Sequence, residues 1–125
     1  MKIPFRGCAT AIVTPMKGGA VDFGALEHLI ERQIKGGVSA LVPCGTTGEA
    51  STLGREEKRR VIECAVKCSG GRVPVIAGCG STSTAIAQSL ATTQALGYES
   101  KDGLGRERIL QIVLNCRIVK DKLAG

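Results

Sequence analysis

The stretch VSALVPCGTTGEASTL, residues 38–53, runs from an uncharged, mostly apolar segment through a proline into a loop with two adjacent threonines between glycines, followed by a carboxylate. An apolar run of this length without polar alternation reads as a strand covered on both faces, the situation of a parallel sheet in an α/β fold. Parallel neighbours require crossover connections, which are usually helices, so the flanking sequence should be helical. Upstream, Asp22 is placed to cap a helix whose Leu26, Leu29, Ile30 and Ile34 share one face until Gly36-Gly37 stops it. Downstream, a helix over about 55–68 turns Val61, Ile62, Ala65 and Val66 inward before Gly70-Gly71 ends it.

The same unit recurs on either side. Residues 8–13 form a first strand closed by Thr14-Pro15, because proline cannot donate to a ladder, and Lys17-Gly18-Gly19 makes the turn that follows. Residues 73–77 form a third strand, 78–82 its loop and 83–96 a third helix with Ile86, Leu90 and Ala91 facing inward. Strand starts therefore recur roughly every 30–35 residues, the spacing of crossover units. Beyond Gly97 the rhythm breaks. Ile109, Ile112, Val113, Cys116, Val119 and Leu123 fall at near-helical spacing over 106–123, although the run 109–114 also suits a strand. The expected fold class is α/β: three βα units over 1–97, then a loop and helical tail over 98–125.

Composition agrees with one modest domain. The 125 residues are 43% hydrophobic, with Phe5, Phe23 and Tyr98 as the aromatics, so burial rests on Ala, Val, Ile and Leu. No apolar run approaches the ~20 residues of a membrane span, and the first residues carry no apolar stretch of a secretory signal, so a cytoplasmic location is expected. The six cysteines, irregularly spaced, are expected to be reduced thiols. The net charge of +6 is spread: 11 Lys/Arg against 7 Asp/Glu up to residue 97, and 6 against 4 thereafter. Its densest run, 55–60, mixes signs at helical spacing, with Glu56 and Arg60 four apart. Lacking aromatic platforms, it reads as a solvated helix face rather than a nucleic-acid surface.

In parallel α/β folds, ligands bind at the loops after the carboxyl ends of the strands, and residues 45–49 make such a loop. Thr46, Thr47 and the neighbouring N–H groups, gathered by glycines that permit positive φ, would make a cradle of donors for a small carboxylate. The alternative is an ordinary turn that caps the next helix. A phosphate loop is disfavoured, because Gly45 to Gly48 is too short and no Gly-Lys-Ser/Thr follows.

Taken together, Ala11-Ile12-Val13-Thr14-Pro15-Met16, the stretch 42–53 around Gly-Thr-Thr-Gly-Glu, Arg55-Glu56-Glu57, and the stretch 74–84 closely resemble the dihydrodipicolinate synthase and N-acetylneuraminate lyase family of pyruvate-dependent aldolases. The Thr-Thr form, followed by Ala-Ser-Thr-Leu, looks most like the dihydrodipicolinate synthase branch. The resemblance implies a (β/α)8 TIM barrel, of which this chain carries the first three βα units. It also implies a self-associating enzyme that condenses pyruvate with aspartate 4-semialdehyde in lysine biosynthesis through a lysine Schiff base, without any further cofactor. By motif position Thr46 matches a proton-relaying threonine, and Thr47, beside Gly48, matches the residue that holds the pyruvate carboxylate. The tyrosine segments, the arginine and the strand-borne lysine of the family have no matching positions. A complete barrel takes about 250 residues. Two expectations therefore stand: an aldolase-type enzyme, or an inactive truncated or joined barrel piece that associates through its sheet edges.

Other candidates receive plainer readings. Cys64 and Cys68, four apart, share a helix face, but no His or further Cys stands at ligand spacing, so packing is expected and no metal. Cys44 and Cys79 both follow strands and are expected to be packing thiols rather than a redox pair. His28 belongs to the surface of the first helix. Glu49 is expected to orient the loop or accept backbone N–H groups, and residues 81–83 to cap the third helix.

Overall fold

A computed structural model describes residues 6–80 and 85–86. Strand β1 (Ala9–Ala11) is followed by a hairpin of β2 (Met16–Lys17) and β3 (Ala20–Val21), then α1 (Phe23–Lys35), β4 (Ala40–Val42), a 3-10 turn (Ala50–Thr52) and α2 (Arg55–Ser69). The hairpin pairs Met16 with Val21 and Lys17 with Ala20 across Gly18 and Gly19, both at positive φ (58° and 80°), which a two-residue turn between twisted strands demands.

The parallel sheet runs in chain order. β1 pairs with β4 in the register Ala9 with Ala40, Thr10 with Leu41 and Ala11 with Val42, and Leu41 then bridges in parallel to Val75. Leu41 N–H donates to Pro74 O (3.0 Å), Ile76 N–H to Leu41 O (2.8 Å) and Gly78 N–H to Pro43 O (2.9 Å). Sequential parallel order, with no reversal among the described residues, is how a (β/α)8 barrel begins and differs from a doubly wound sheet. The third strand is shorter than the 73–77 expected, being regular only at Val75, since Pro74 cannot donate.

Helix α1 begins where Asp22 predicts, its carboxylate accepting from Ala25 N–H at 3.0 Å. Leu26 and Ile30 are fully buried, and Leu29 and Ile34 pack at the edge of the same core. Helix α2 starts at Gly54, whose N–H is taken by Glu57 (2.8 Å), and buries Val61, Ile62 and Ala65, with Val66 half-buried. These faces meet Ile12, Leu41, Val75 and Ala77 in the main core, while Ala40, Val42 and Ile76 form a smaller cluster on the other face of the sheet.

Three expectations need correction. The 8–13 run is not covered on both faces: Ala9 and Ala11 of β1 and Val13 just beyond it are exposed, Val13 by 50%, because only the Ile12 and Thr14 side meets described core. Ile86 is 54% exposed rather than inward. Glu56 pairs with Arg59 (2.7 Å), which also holds Glu63, whereas Arg60 lies over the Phe23 ring at 4.5 Å, tying α2 to the start of α1. Leu90, Ala91, residues 81–83 and the tail helix over 106–123 lie outside the described residues.

The far ends of the helices are clamped by Arg72, which donates to Glu31 on α1 (3.2 Å for the longer of two bonds) and to Cys68 O (2.7 Å) and Ser69 O (3.1 Å) on α2. The hydrogen bond from Arg72, then the Arg72 and Lys35 charges, hold the Glu31 carboxyl below the usual carboxylate range. A lowered folded-state pKa gives stability that is complete above the unfolded value and lost as pH falls through the folded one. Urea titrations from neutral pH downward should therefore show stability falling on acidification, and Arg72→Gln should flatten that limb. An identical limb in Arg72→Gln would remove Glu31 as its source.

Candidate functional site

The loop after β4 leaves the sheet at its carboxyl end, and two side chains and a crowded glycine fix its path. Thr14, just past β1 and 5% exposed, donates its hydroxyl to Gly48 O at 2.8 Å, tying the loop to the neighbouring strand. A Cβ on Gly48 would meet Ile12 O at 3.1 Å, Cys44 N at 3.2 Å and Thr14 Oγ1 at 3.3 Å, so a side chain there would have to push two backbone atoms and the Thr14 hydroxyl aside by a few tenths of an ångström. Gly78, on the third strand's exit, is tighter still: a Cβ there would fall 2.1 Å from Cys44 O.

The left-handed positions of this loop are not its glycines. Cys44 (φ 56°) and Glu49 (φ 52°) take positive φ, whereas Gly45 and Gly48 stay outside that region. Of the two glycines only Gly48 sits in close approach, and the bends fall on either side of the threonine pair. Glu49 shapes the loop with its backbone rather than its carboxylate: its carbonyl accepts from Thr52 N–H (2.9 Å) and Thr52 Oγ1 (2.8 Å). Gly48 N–H returns to Gly45 O (3.1 Å) and Glu49 N–H to Thr46 O (3.0 Å), closing a compact turn.

That turn leaves Thr46 and Thr47 exposed at its crest, while Gly48 is buried beneath them. Among the described residues neither hydroxyl nor either N–H of the two threonines has a protein partner. Both exposed threonines thus carry donors that no described protein group takes up. No described lysine is hydrogen bonded to residues 45–49. Arranged this way, the loop offers hydroxyl and N–H donors to a small anion, Glu49 is its titratable side chain, and no described lysine amine is bonded to it.

Beneath it, Cys44 is buried and directed at Lys58 O (3.8 Å); burial pushes its thiol up to about 12 despite the Lys58 charge, so it is neutral at physiological pH. Cys44 and Cys79 are both buried free thiols, consistent with packing. His28 is exposed on α1. Sequence reasoning missed Thr14 as the anchor of the loop; its only local signal was a hydroxyl beside a strand-ending proline. Thr14→Val, nearly the same shape, leaves Gly48 O unsatisfied and should cost about 1–3 kcal/mol in urea unfolding. A loss under about 0.5 kcal/mol, the ordinary scatter of neutral substitutions, would show that the bond does not hold the loop.

The sequence model of the Dihydrodipicolinate synthetase family matches residues 4–101. The chain belongs to this family. Over 86 residues it is 59% identical to a 4-hydroxy-tetrahydrodipicolinate synthase of Phenylobacterium zucineum, covering 69% of this chain and 29% of that protein. Among solved structures, the dihydrodipicolinate synthase of Thermotoga maritima superposes with a TM-score of 0.72 at 38% identity, over 76% of this chain and 32% of that one. The chloride-inhibited dihydrodipicolinate synthase of Acinetobacter baumannii, solved in complex with pyruvate, superposes at 0.68 with 45% identity, over 70% and 31%. The chain spans about a third of the length of the family members it matches. What the structure describes is accordingly the opening part of a (β/α)8 barrel, with β1, β4 and the bridge at Val75 as its first parallel strands. No described helix is long and apolar enough to cross a membrane.

Proposed function

We propose that residues 45–48 are the keto-acid-binding part of a dihydrodipicolinate synthase-type site. The exposed pair Thr46 and Thr47 at the carboxyl end of β4, whose hydroxyls and N–H groups have no partner among the described residues, is the observation that carries this reading. Thr47 holds the carboxylate of pyruvate through its hydroxyl and N–H, Gly48 lets the backbone approach, and Thr46 serves as a proton relay once partners of suitable pKa are present. A carboxylate is the natural occupant, since charge-assisted hydrogen bonds are about twice as strong as neutral ones. By the family resemblance, the condensation with aspartate 4-semialdehyde, the lyase chemistry of lysine biosynthesis, needs a Schiff-base lysine on a later strand, for which this sequence offers no matching position. Residues 1–97 then act as the barrel-forming part and 98–125 as a divergent tail, with the cytoplasm as the place of work.

A second reading, an inactive barrel piece that associates with itself or a longer relative, is favoured by the exposed Ala9, Ala11 and Val13 face and by Met16 at 48% exposure. Borohydride reduction with pyruvate followed by intact mass distinguishes the two. A covalent pyruvate adduct supports an autonomous enzyme; noncovalent pyruvate stabilisation without an adduct supports the barrel piece. For the site itself, pyruvate should raise the unfolding temperature of the full chain, and Thr47→Val should abolish the rise, by the mass-action link between binding and stability. An undiminished rise in Thr47→Val rejects the carboxylate cradle.

A further inference from the structure

On the side of the molecule where α1 and α2 pack together, two thiols and a carboxylate converge. Cys64 and Cys68 lie one turn apart on α2, and Glu27 reaches them from α1, so that one ligand atom of each lies within 4.8 Å of the others. Glu27 is exposed, and both cysteines are half-buried, which leaves the group open to solvent on one side. Alone, the cysteine pair is explained as small apolar packing, since both side chains touch the edge of the main core. That explanation does not account for the carboxylate beside them.

We propose that Cys64, Cys68 and Glu27 bind a thiophilic divalent cation such as zinc, with the open side left for water or a fourth donor. Two sulfurs and one carboxylate oxygen select zinc or cadmium over magnesium or calcium, which take all-oxygen shells. Metal–sulfur and metal–oxygen bonds of about 2.3 and 2.0–2.2 Å require the donors to draw together modestly, a movement open to rotamers of solvent-facing side chains. Both thiols must lose a proton to act as ligands, so binding strengthens as pH rises. Burial pushes the Cys64 thiol up to about 12, and Cys68 and Glu27 add to that rise. Burial also raises the Cys68 thiol, with Glu27 and Glu31 in the same direction and a hydrogen bond from Cys64 and the Lys67 charge against it. A bound cation takes up each thiolate as its proton leaves to water, turning a mutually unfavourable cluster into one ligand set and pinning α1 to α2.

The test uses the reduced full chain with Cys8→Ser and Cys116→Ser, so that neither the exposed Cys8 nor the Cys116 thiol competes. Titration with cadmium should produce an ultraviolet thiolate-to-metal charge-transfer band that saturates at one equivalent, and zinc should displace it. Cys64→Ala and Cys68→Ala should each abolish the band. Glu27→Gln, an exposed change that spares the fold, should weaken cadmium binding at least tenfold. A missing band, a band that survives Cys64→Ala, or an unchanged affinity in Glu27→Gln would overturn the assignment.

Discussion

Gly78→Ala should cost roughly 3 kcal/mol or more, the upper end of what overpacking does, and a protein of ordinary marginal stability would lose much of its folded population. The reason is positional. The added methyl would lie 2.1 Å from Cys44 O, 2.5 Å from Cys44 C and 2.8 Å from Gly45 N, all backbone atoms of the loop and none the end of a flexible side chain. Relief would require separating the third strand from β4, breaking the Gly78 N–H to Pro43 O bond and moving buried Ala77 and Cys79. Gly45→Ala provides the contrast. Its Cβ would meet only Val42 Cγ1 at 3.9 Å, ordinary contact, and its φ is not left-handed, so the change should stay within about 1 kcal/mol of neutral. Urea unfolding of the two variants checks the pair; equal costs would show that the third strand does not pass against Cys44 as described.

Leu26→Ala should cost about 2–5 kcal/mol, the range for deleting a fully buried leucine and leaving a cavity. Leu26 is wholly inaccessible and belongs to the same core as Ile30, Leu41 and Val61, so its loss loosens α1 from both the sheet and α2. Val13→Ala is the matched control. Val13 is as apolar but half exposed, and shortening it should cost under about 1 kcal/mol, since little area leaves the protein interior. Similar losses for both would mean that the exposed face of β1 is covered in solution, which the associating form of the protein requires. Size-exclusion chromatography of the parent decides whether a partner copy supplies that cover.

Local chemistry made much of this legible. Asp22 announced the start of α1 because a capping carboxylate acts within three residues, and the apolar positions of α1 and α2 reported their buried faces through helical periodicity alone. The position of the threonine pair at a strand's carboxyl end was equally readable, since a strand's end and its loop are adjacent in sequence. What depended on distant partners was not. The hydroxyl of Thr14 meets a carbonyl 34 residues away, and Glu27 meets two cysteines on another helix; neither spacing leaves a pattern. Gly45 and Gly48 suggested left-handed turns, yet Cys44 and Glu49 carry them, because backbone crowding by Ile12 and Thr14 governs Gly48 instead. The exposure of one β1 face was hidden for a related reason: an apolar run reports that a strand is suited to burial, not that the covering layer lies within these residues.

On the proposed function, the exposed threonine turn after β4 takes up a keto acid. Titrating the ¹⁵N-labelled chain with pyruvate and following the backbone amide resonances tests it most directly. The largest shifts should fall on Thr46, Thr47 and Gly48, with Gly18 and Gly19 of the hairpin unmoved. Shifts centred elsewhere, or none at saturating pyruvate in the folded protein, would contradict it.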